Sequence, residues 1–470
     1  MQRSGAEWAD ERSGMADNAA PIVQTISQPL DLLELHRAFP GRYPHLLQSA
    51  IQGRFDILFA LPGESLTLNT SGELHVSGGG APGSGDFLEA FDCWWRRLEA
   101  PAADILLPFT GGWFVYLGYE LAAQVEPCLQ LPRAGNGLPV AVATRFRTAL
   151  VYDHGTGSTC IVGEPGQVEA MQRIAADITA LAAAGKIGRS AIRIAGIAEE
   201  TPQRYLDAIA RIHDYIREGD VFQVNLSRPW HIRLEQPVTP ADLYASLAAH
   251  NPAPFAGLAS WPGASLVSSS PERLVAVHDG RVHTRPIAGT RPRGQGSSSD
   301  RAYSNELMTH PKERAEHIML IDLERNDLGR LCVPGSIEVN EFMVLESYAH
   351  VHHIVSNIRG QLRAHITPGQ VIRAVFPGGT ITGCPKVRCM EIIAELEREP
   401  RGAYTGSLGY INRDGSMDMN ILIRSMVMSG KDIHLRAGAG IVADSVAVAE
   451  LEETRAKARG LLRSLGIANA

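Results

Sequence analysis

Several marks of nucleic-acid, membrane and disulfide chemistry are missing from this chain. Its 44 Lys and Arg residues are outnumbered by 51 Asp and Glu, for a formal charge of −7, so no overall basic field attracts a polyanion. No apolar run approaches the roughly 18 residues that a bilayer span requires. The opening MQRSGAEWADERSGMADNAAP lacks the apolar segment of a secretory signal, which predicts a cytoplasmic protein with no nucleic-acid or membrane partner. Cys93, Cys128, Cys160, Cys332, Cys384 and Cys389 form no C-x-x-C pair and no zinc spacing, so reduced, unbridged thiols are expected. There is no internal repeat of about 20 to 50 residues, no P-loop and no G-x-G-x-x-G.

What remains is ordinary globular composition, 44% hydrophobic and 20% charged, over a length that can bury a large core. Residues 1–21 read as a flexible tail. Residues 22–195 carry strand-like runs (RFDILFAL, GGWFVYLGYEL, RTALVYD) between Gly/Ser/Pro loops and close on an Ala-rich helix, VEAMQRIAADITALAAAGK. Residues 196–470 alternate phased helices with short β runs and hold nearly all the chemically suggestive side chains. INRDGSMD, with Asp414-Gly415 between alternating runs, is a hairpin signal. It predicts an α+β fold with antiparallel sheets packed together and helices outside.

Four segments of the second region suggest anion chemistry. TRPIAGTRPRG (284–294) surrounds Ala288 with a proline, glycines and arginines, the makings of an anion-binding loop. SVAVAELEETRAKARGLLRSLG reads as a helix capped by Ser445, with Ala447, Leu451, Ala458, Leu462 and Leu465 on one face and Glu450, Glu453 and Lys457 on the adjoining stripe. In HPKERAEHIMLIDLERNDLGR, Pro311 suits a first helical turn, and Glu313, Glu316, His317 and Asp322 stand among apolar residues. Taken singly, either acidic stripe is more often a solvated face. One carboxylate from each of two helices is nevertheless how Mg²⁺ is usually held when substrate and water complete its shell. FPGGTITGCPKVR, before a helix starting near Pro385, and LRAGAGIVADS bring Gly378, Gly379, Thr380, Gly383, Gly438 and Gly440 into backbone positions suited to a carboxylate.

In order along the chain, SSSPERL, RPIAGTRPRG, KERAEHIMLIDLERNDLGR, HHIVSN, FPGGTITGCPKVR, GAYTGSLGY, DMNILIRS, AGAGIVADS and EETRAKA resemble the motifs of the chorismate-utilising enzymes. That family includes anthranilate synthase component I, aminodeoxychorismate synthase component I and the isochorismate and salicylate synthases. The resemblance implies Mg²⁺ held by Glu316 and Glu453 with Glu450 close by. It implies substrate binding by Gly289, Thr290, Tyr404, Arg424, Gly438, Gly440 and Lys457, with Thr380 along the ring. It also makes Glu272 the acid for the departing C4 hydroxyl and His353 a histidine beside the ring. In the first half, PHLLQS resembles the family's tryptophan-pocket segment, retaining Ser49 but carrying Gln48 where glutamate is usual.

The attacking group is narrowed by what is absent. Members that add water carry a lysine base where this chain has Gln223 in FQVNLS, so ammonia is expected. No G-x-C-x-G elbow supplies a glutaminase thiolate, which implies that ammonia comes from a separate glutamine amidotransferase subunit. Ala288 stands where aminodeoxychorismate synthases usually carry a nucleophilic lysine, and is the residue found in anthranilate synthases. QVNLS, APF, FPGGTITG and GRFDILFALP resemble aminodeoxychorismate synthases instead. Weighing the distributed features above the single position, the sequence predicts an aminodeoxychorismate synthase component I. Anthranilate synthase component I is the alternative, and a non-catalytic tryptophan-sensing relative a second one.

Overall fold

The computed structural model describes residues 20–467 except 50–52, 79–84, 134, 136, 186–187, 294–295 and 348–350, with the side chains of residues 290, 292, 297, 298, 312 and 351 also outside it. All but the last two residues of the expected tail therefore fall outside the described residues.

Two large antiparallel sheets form the frame. One runs from Ile22–Ile26 through Ser158–Gly163, Thr148–Asp153, Phe55–Ala60, His45–Gln48, Phe255–Trp261, Ala264–Ser270, Ser425–Ser429, Asp432–Ile441 and Gln223–Leu234 to Ile194–Glu199. The other runs from Ile287–Pro292 through Val351–Gln361, Arg281–Arg285, Arg273–His278, Met417–Ile421, Ser407–Asn412, Gly112–Leu117, Ala141–Phe146 and Ser65–Leu68 to Leu74–Ser77. Strands from before and after residue 195 thus lie side by side in both sheets. His45–Gln48 pairs with Phe255–Trp261, and Gly112–Leu117 with Ser407–Asn412. The change of texture near residue 195 is no break in hydrogen bonding.

The α+β expectation holds in detail. Met417–Ile421 folds back on Ser407–Asn412, with Gly415 at φ +82°, a conformation open to glycine without a Cβ clash. Phe59, Phe114, Phe146, Leu266 and Leu408 meet between strands of the two sheets in a buried cluster. Helices cover the outer faces. Trp94 of Phe87–Leu98 packs edge-on to Trp113, and Leu461 and Leu462 of the C-terminal helix Ala447–Ser464 join Leu243 and Leu247 of Pro240–His250. The Ala-rich helix spans Val168–Ala184, and Pro311 opens the helix Pro311–Gly329 as expected.

One local expectation is corrected. Ser445 is not the cap of the C-terminal helix. The cap position is Val446, and the Ser445 hydroxyl accepts from Val442 N–H at 3.1 Å in the turn before it. A serine bonded backwards to its own turn serves that turn instead of the helix N–H groups. No described helix is long and apolar enough to cross a membrane, and the six cysteines are unpaired.

Candidate active site

TRPIAGTRPRG is not a loop. Ile287–Pro292 is an edge strand whose ladder to Val351–Gln361 runs Ile287 to Val355, Ala288 to Ile354 and Thr290 to His353, with Gly289 as an extra residue between. The expected loop is replaced by a strand, because this ladder occupies backbone groups of the segment. Gly289 has φ +67°, and a Cβ there would lie 2.8 Å from both Glu313 Oε2 and Leu307 Cδ1, so the bulge demands glycine. The His353 ring bonds the Gly289 backbone; burial, with the Arg424 charge adding, pushes its pKa down to about 4. His353 is therefore neutral at pH 7. Ala288 is 9% exposed and offers no ionisable atom. The Thr290 side chain lies outside the described residues.

Glu272 is set by the strands around it. Its carbonyl accepts from Ile421 N–H at 3.0 Å, and its N–H donates to Ser270 Oγ at 3.2 Å. The carboxyl is 5% exposed and takes the Ile287 N–H. Burial raises its pKa to about 7, opposed by the Thr380 hydroxyl, the Ile287 amide, Lys457 and Arg424. The Thr380 hydroxyl is close enough to lower the proton affinity of Glu272, yet it completes no bond of good distance and angle in this structure.

Arg424 sits at φ +51°, left-handed backbone that costs an arginine on the order of 1–3 kcal/mol and tends to persist at functional sites. Its carbonyl accepts from Ser269 N–H at 3.1 Å, which holds the turn. Burial lowers its pKa and the Glu272 charge opposes the drop, while the guanidinium has no hydrogen-bond or ion-pair partner among the described residues. A desolvated guanidinium without a carboxylate of its own is a ready site for an anionic ligand.

Lys457, whose charge also acts on Glu272, donates from Nζ to the Gly438 carbonyl at 3.0 Å and pairs with Glu453 at 2.8 Å. Close approach requires glycine at 438, where a Cβ would lie 2.6 Å from the Leu226 carbonyl and 2.7 Å from the Tyr404 hydroxyl, while at Gly440 it would lie 2.5 Å from Gln223 Nε2, the movable end of that side chain. Tyr404 rests over Arg401, and burial pushes its pKa up to about 12. Beneath it Glu397 accepts from Arg401 at 2.7 Å, Arg436 at 2.9 Å and Ser227 N–H at 2.8 Å. Burial raises the Glu397 pKa, but the two guanidiniums outweigh it and keep the group ionised.

Glu272, His353, Thr380, Arg424 and Lys457 are thus brought within electrostatic reach of one another. The expected metal carboxylates are less gathered. Glu316 is half-buried on Pro311–Gly329, Glu450 is buried in the first turn of the C-terminal helix, and Glu453 is half exposed. Among the described residues no three His, Cys, Asp or Glu side chains converge on one point. Ser49 lines a cavity of about 380 Å³ with Gln48, Phe255, Tyr410, Ile287 and Val355. The Gln48 amide there is committed to Asp56 at 3.1 Å.

The sequence reading missed Glu324, 6% exposed on the buried face of Pro311–Gly329, where burial raises its pKa to about 8. The available signal was a carboxylate three residues past Ile321 and four before Leu328, on the apolar side of the helix. It also missed the pair Glu397 and Arg401, four residues apart in ELEREPR, the first at the end of a helix and the second beyond it.

Comparison with known proteins identifies the family. The family described as chorismate binding enzyme matches residues 82–463. Aminodeoxychorismate synthase component 1 of Bacillus subtilis is 40% identical over 391 residues, covering 81% of this chain and 82% of that protein. Anthranilate synthase component 1 of Thermus thermophilus is also 40% identical, over 388 residues, covering 80% and 82%. The crystal structure of anthranilate synthase component I from Streptococcus pneumoniae superposes with a TM-score of 0.76 at 30% identity, covering 87% of this chain and 92% of that one.

Proposed function

Since the chain belongs to the chorismate binding enzyme family, we propose that it aminates chorismate with ammonia to 4-amino-4-deoxychorismate. The observation that carries the reading is Glu272, a buried carboxyl able to hold a proton near neutral pH, facing the cations Arg424 and Lys457. Chorismate carries two carboxylates and a C4 hydroxyl that departs only if protonated. Arg424, with no carboxylate of its own, takes one substrate carboxylate, and Lys457 and Tyr404, both beside Gly438, take the other oxygens. Glu272 delivers its proton to the C4 oxygen. Neutral His353, fixed by the Gly289 backbone, lines the ring without adding a third cation.

Glu316 on one helix and Glu453 on another, with Glu450 one turn before Glu453, are the hard carboxylates that would hold Mg²⁺. When bound, it would neutralise a substrate carboxylate and fix the ring. Gln223 and Ala288 provide neither a base for water nor a covalent amine, which leaves ammonia as nucleophile: it adds at C2 as the C4 oxygen departs, and a second ammonia then adds at C4 as the C2 amine leaves. Cys160, Cys332, Cys384 and Cys389 all have their thiols pushed up by burial, the reverse of an activated glutaminase cysteine. A separate glutamine amidotransferase subunit is therefore the proposed ammonia source, and the cavity holding Ser49 the proposed tryptophan site.

Ala288 favours a second reading. With no lysine to add at C2, ammonia attacks there first, and loss of pyruvate from that intermediate would give anthranilate. Incubation of the chain with chorismate, Mg²⁺ and ammonium at raised pH, followed by mass spectrometry and chromatography, separates the two. 4-Amino-4-deoxychorismate supports the first reading, anthranilate replaces it with the second, and no consumption of chorismate overturns both. Turnover with glutamine by the chain alone would contradict the need for a partner.

A further inference from the structure

Behind Glu272 lies a second buried acid that the mechanism above does not use. Glu324 projects from the inner face of Pro311–Gly329 toward the short 3-10 turn Gly379–Ile381, its Oε1 only 3.7 Å from where a Cβ on Gly379 would stand. The next residue of that turn, Thr380, faces Glu272. From the neighbouring strand Arg281–Arg285, the Thr284 hydroxyl approaches Glu324. Both threonine hydroxyls and Glu272 Oε1 are buried atoms that complete no hydrogen bond in this structure. A buried polar atom left in that condition normally costs about 1–3 kcal/mol. Three of them clustered about two carboxyls call for a functional explanation. One helical turn beyond Glu324, Asp327 holds Lys386 Nζ at 2.5 Å, and the Lys386 side chain is partly exposed, so the row ends at the surface.

We infer that Glu324 is a positioning and proton-supplying residue that refills Glu272 from behind, through the hydroxyls of Thr380 and Thr284, while ligand still covers the cleft. The inference rests on the proposed amination of chorismate. When the C4–O bond breaks, the oxygen leaves as water with the Glu272 proton, and as the C2–N bond forms the incoming nitrogen sheds one proton to solvent. The Glu272 carboxylate takes the proton of the Glu324 carboxyl, and Glu324 recovers one from solvent past Asp327 and Lys386. One proton enters and one leaves per dehydration.

The charges around Glu324 suit this task. Burial, with the charges of Asp327 and Glu272 adding and Lys386 and Thr284 opposing, raises its pKa to about 8. Glu324 therefore carries its proton at pH 7. Burial raises both Glu272 and Glu324, so each is an acid that can hold a proton near neutral pH.

The test is Glu324→Gln, which keeps size and shape. A refilling step follows the irreversible loss of water, so kcat for chorismate should fall at least about tenfold while kcat/KM, which reports the free enzyme up to that loss, stays within about twofold. A residue that merely packed would lower both or neither. Thr284→Val, lying outside the substrate-binding set, should show the same split in weaker form. An infrared measurement on the chain without substrate gives a reading independent of turnover: the carbonyl band of a protonated carboxyl at pH 7 should weaken in Glu324→Gln. Equal loss of kcat and kcat/KM, unchanged kcat, or an unchanged carboxyl band in a folded variant overturns the inference. Failure of the wild-type chain to consume chorismate would instead overturn the proposed function, leaving the infrared result to decide where the proton resides.

Discussion

Lys457 donates to the carbonyl of Gly438 across 3.0 Å, tying the C-terminal helix to the strand Asp432–Ile441 at the wall of the cleft. The same ammonium holds Glu453 at 2.8 Å, with Lys457 41% and Glu453 50% exposed. An exposed pair of this kind is worth about 0–1 kcal/mol to stability. Lys457→Met should therefore leave the melting temperature within a few degrees but weaken chorismate binding by about 1.5–3 kcal/mol, the usual value of a charge-assisted contact. Thermal melts and KM measured on one preparation check this. A large loss of stability with unchanged KM would remove Lys457 from substrate binding.

The activity profile follows from Glu272. The acid must be protonated to expel the C4 hydroxyl, and its raised pKa keeps it so up to about pH 7. Free ammonia grows with pH, so turnover with ammonium should rise and then fall as Glu272 ionises. Glu272→Gln should lower kcat by about 10²-fold or more and abolish the falling limb.

Stability should also decline above pH 6.5. Glu120, Glu272 and Glu324 have folded pKa values of about 7, 7 and 8, all above the ordinary 4.5, mainly through burial. Between 4.5 and those values the folded state binds more protons than the unfolded one, so each group loses stability as pH rises. His317 and His353 run the other way, since burial depresses them to about 4 and their contribution grows from there to 6.5. Above 6.5 only the carboxyl contributions among these five still change. The melting temperature should fall from pH 6.5 to 8, and Glu324→Gln should flatten that fall.

Metal dependence has its own test. Chelation should abolish turnover and Mg²⁺ restore it, and Glu316→Gln and Glu453→Gln should each cut kcat/KM by about 10²-fold or more. Full activity in excess chelator would leave both carboxylates without the proposed ligand role.

Glu397 tests the support under Tyr404. Its carboxylate serves Arg401 and Arg436 with both side chains buried. Removing one partner of such a group strands buried charge, so Glu397→Gln should destabilise by about 3–5 kcal/mol. Denaturant unfolding measures this directly.

Local rules carried far in this chain. Pro311 begins a helix, Asp414-Gly415 turns a hairpin, and the acids and cations of the second half stand on the elements their spacing implied, because capping, turns and periodicity depend on neighbours within a few residues. The sequence by itself determined which side chains are available to the chemistry: a carboxyl at 272, an arginine at 424, and no amine at 288. Tertiary structure decided what those side chains are. TRPIAGTRPRG became a bulged edge strand only because Val351–Gln361, some sixty residues later, supplies its ladder. Strands from before and after residue 195 merged into the same two sheets because register is set by packing between distant segments. Glu324 became a buried acid only because the Gly379 turn and the strand bearing Thr284 close over it. Burial and charge proximity are sums over the whole fold, and they alone turn an ordinary glutamate into one that keeps its proton at neutral pH.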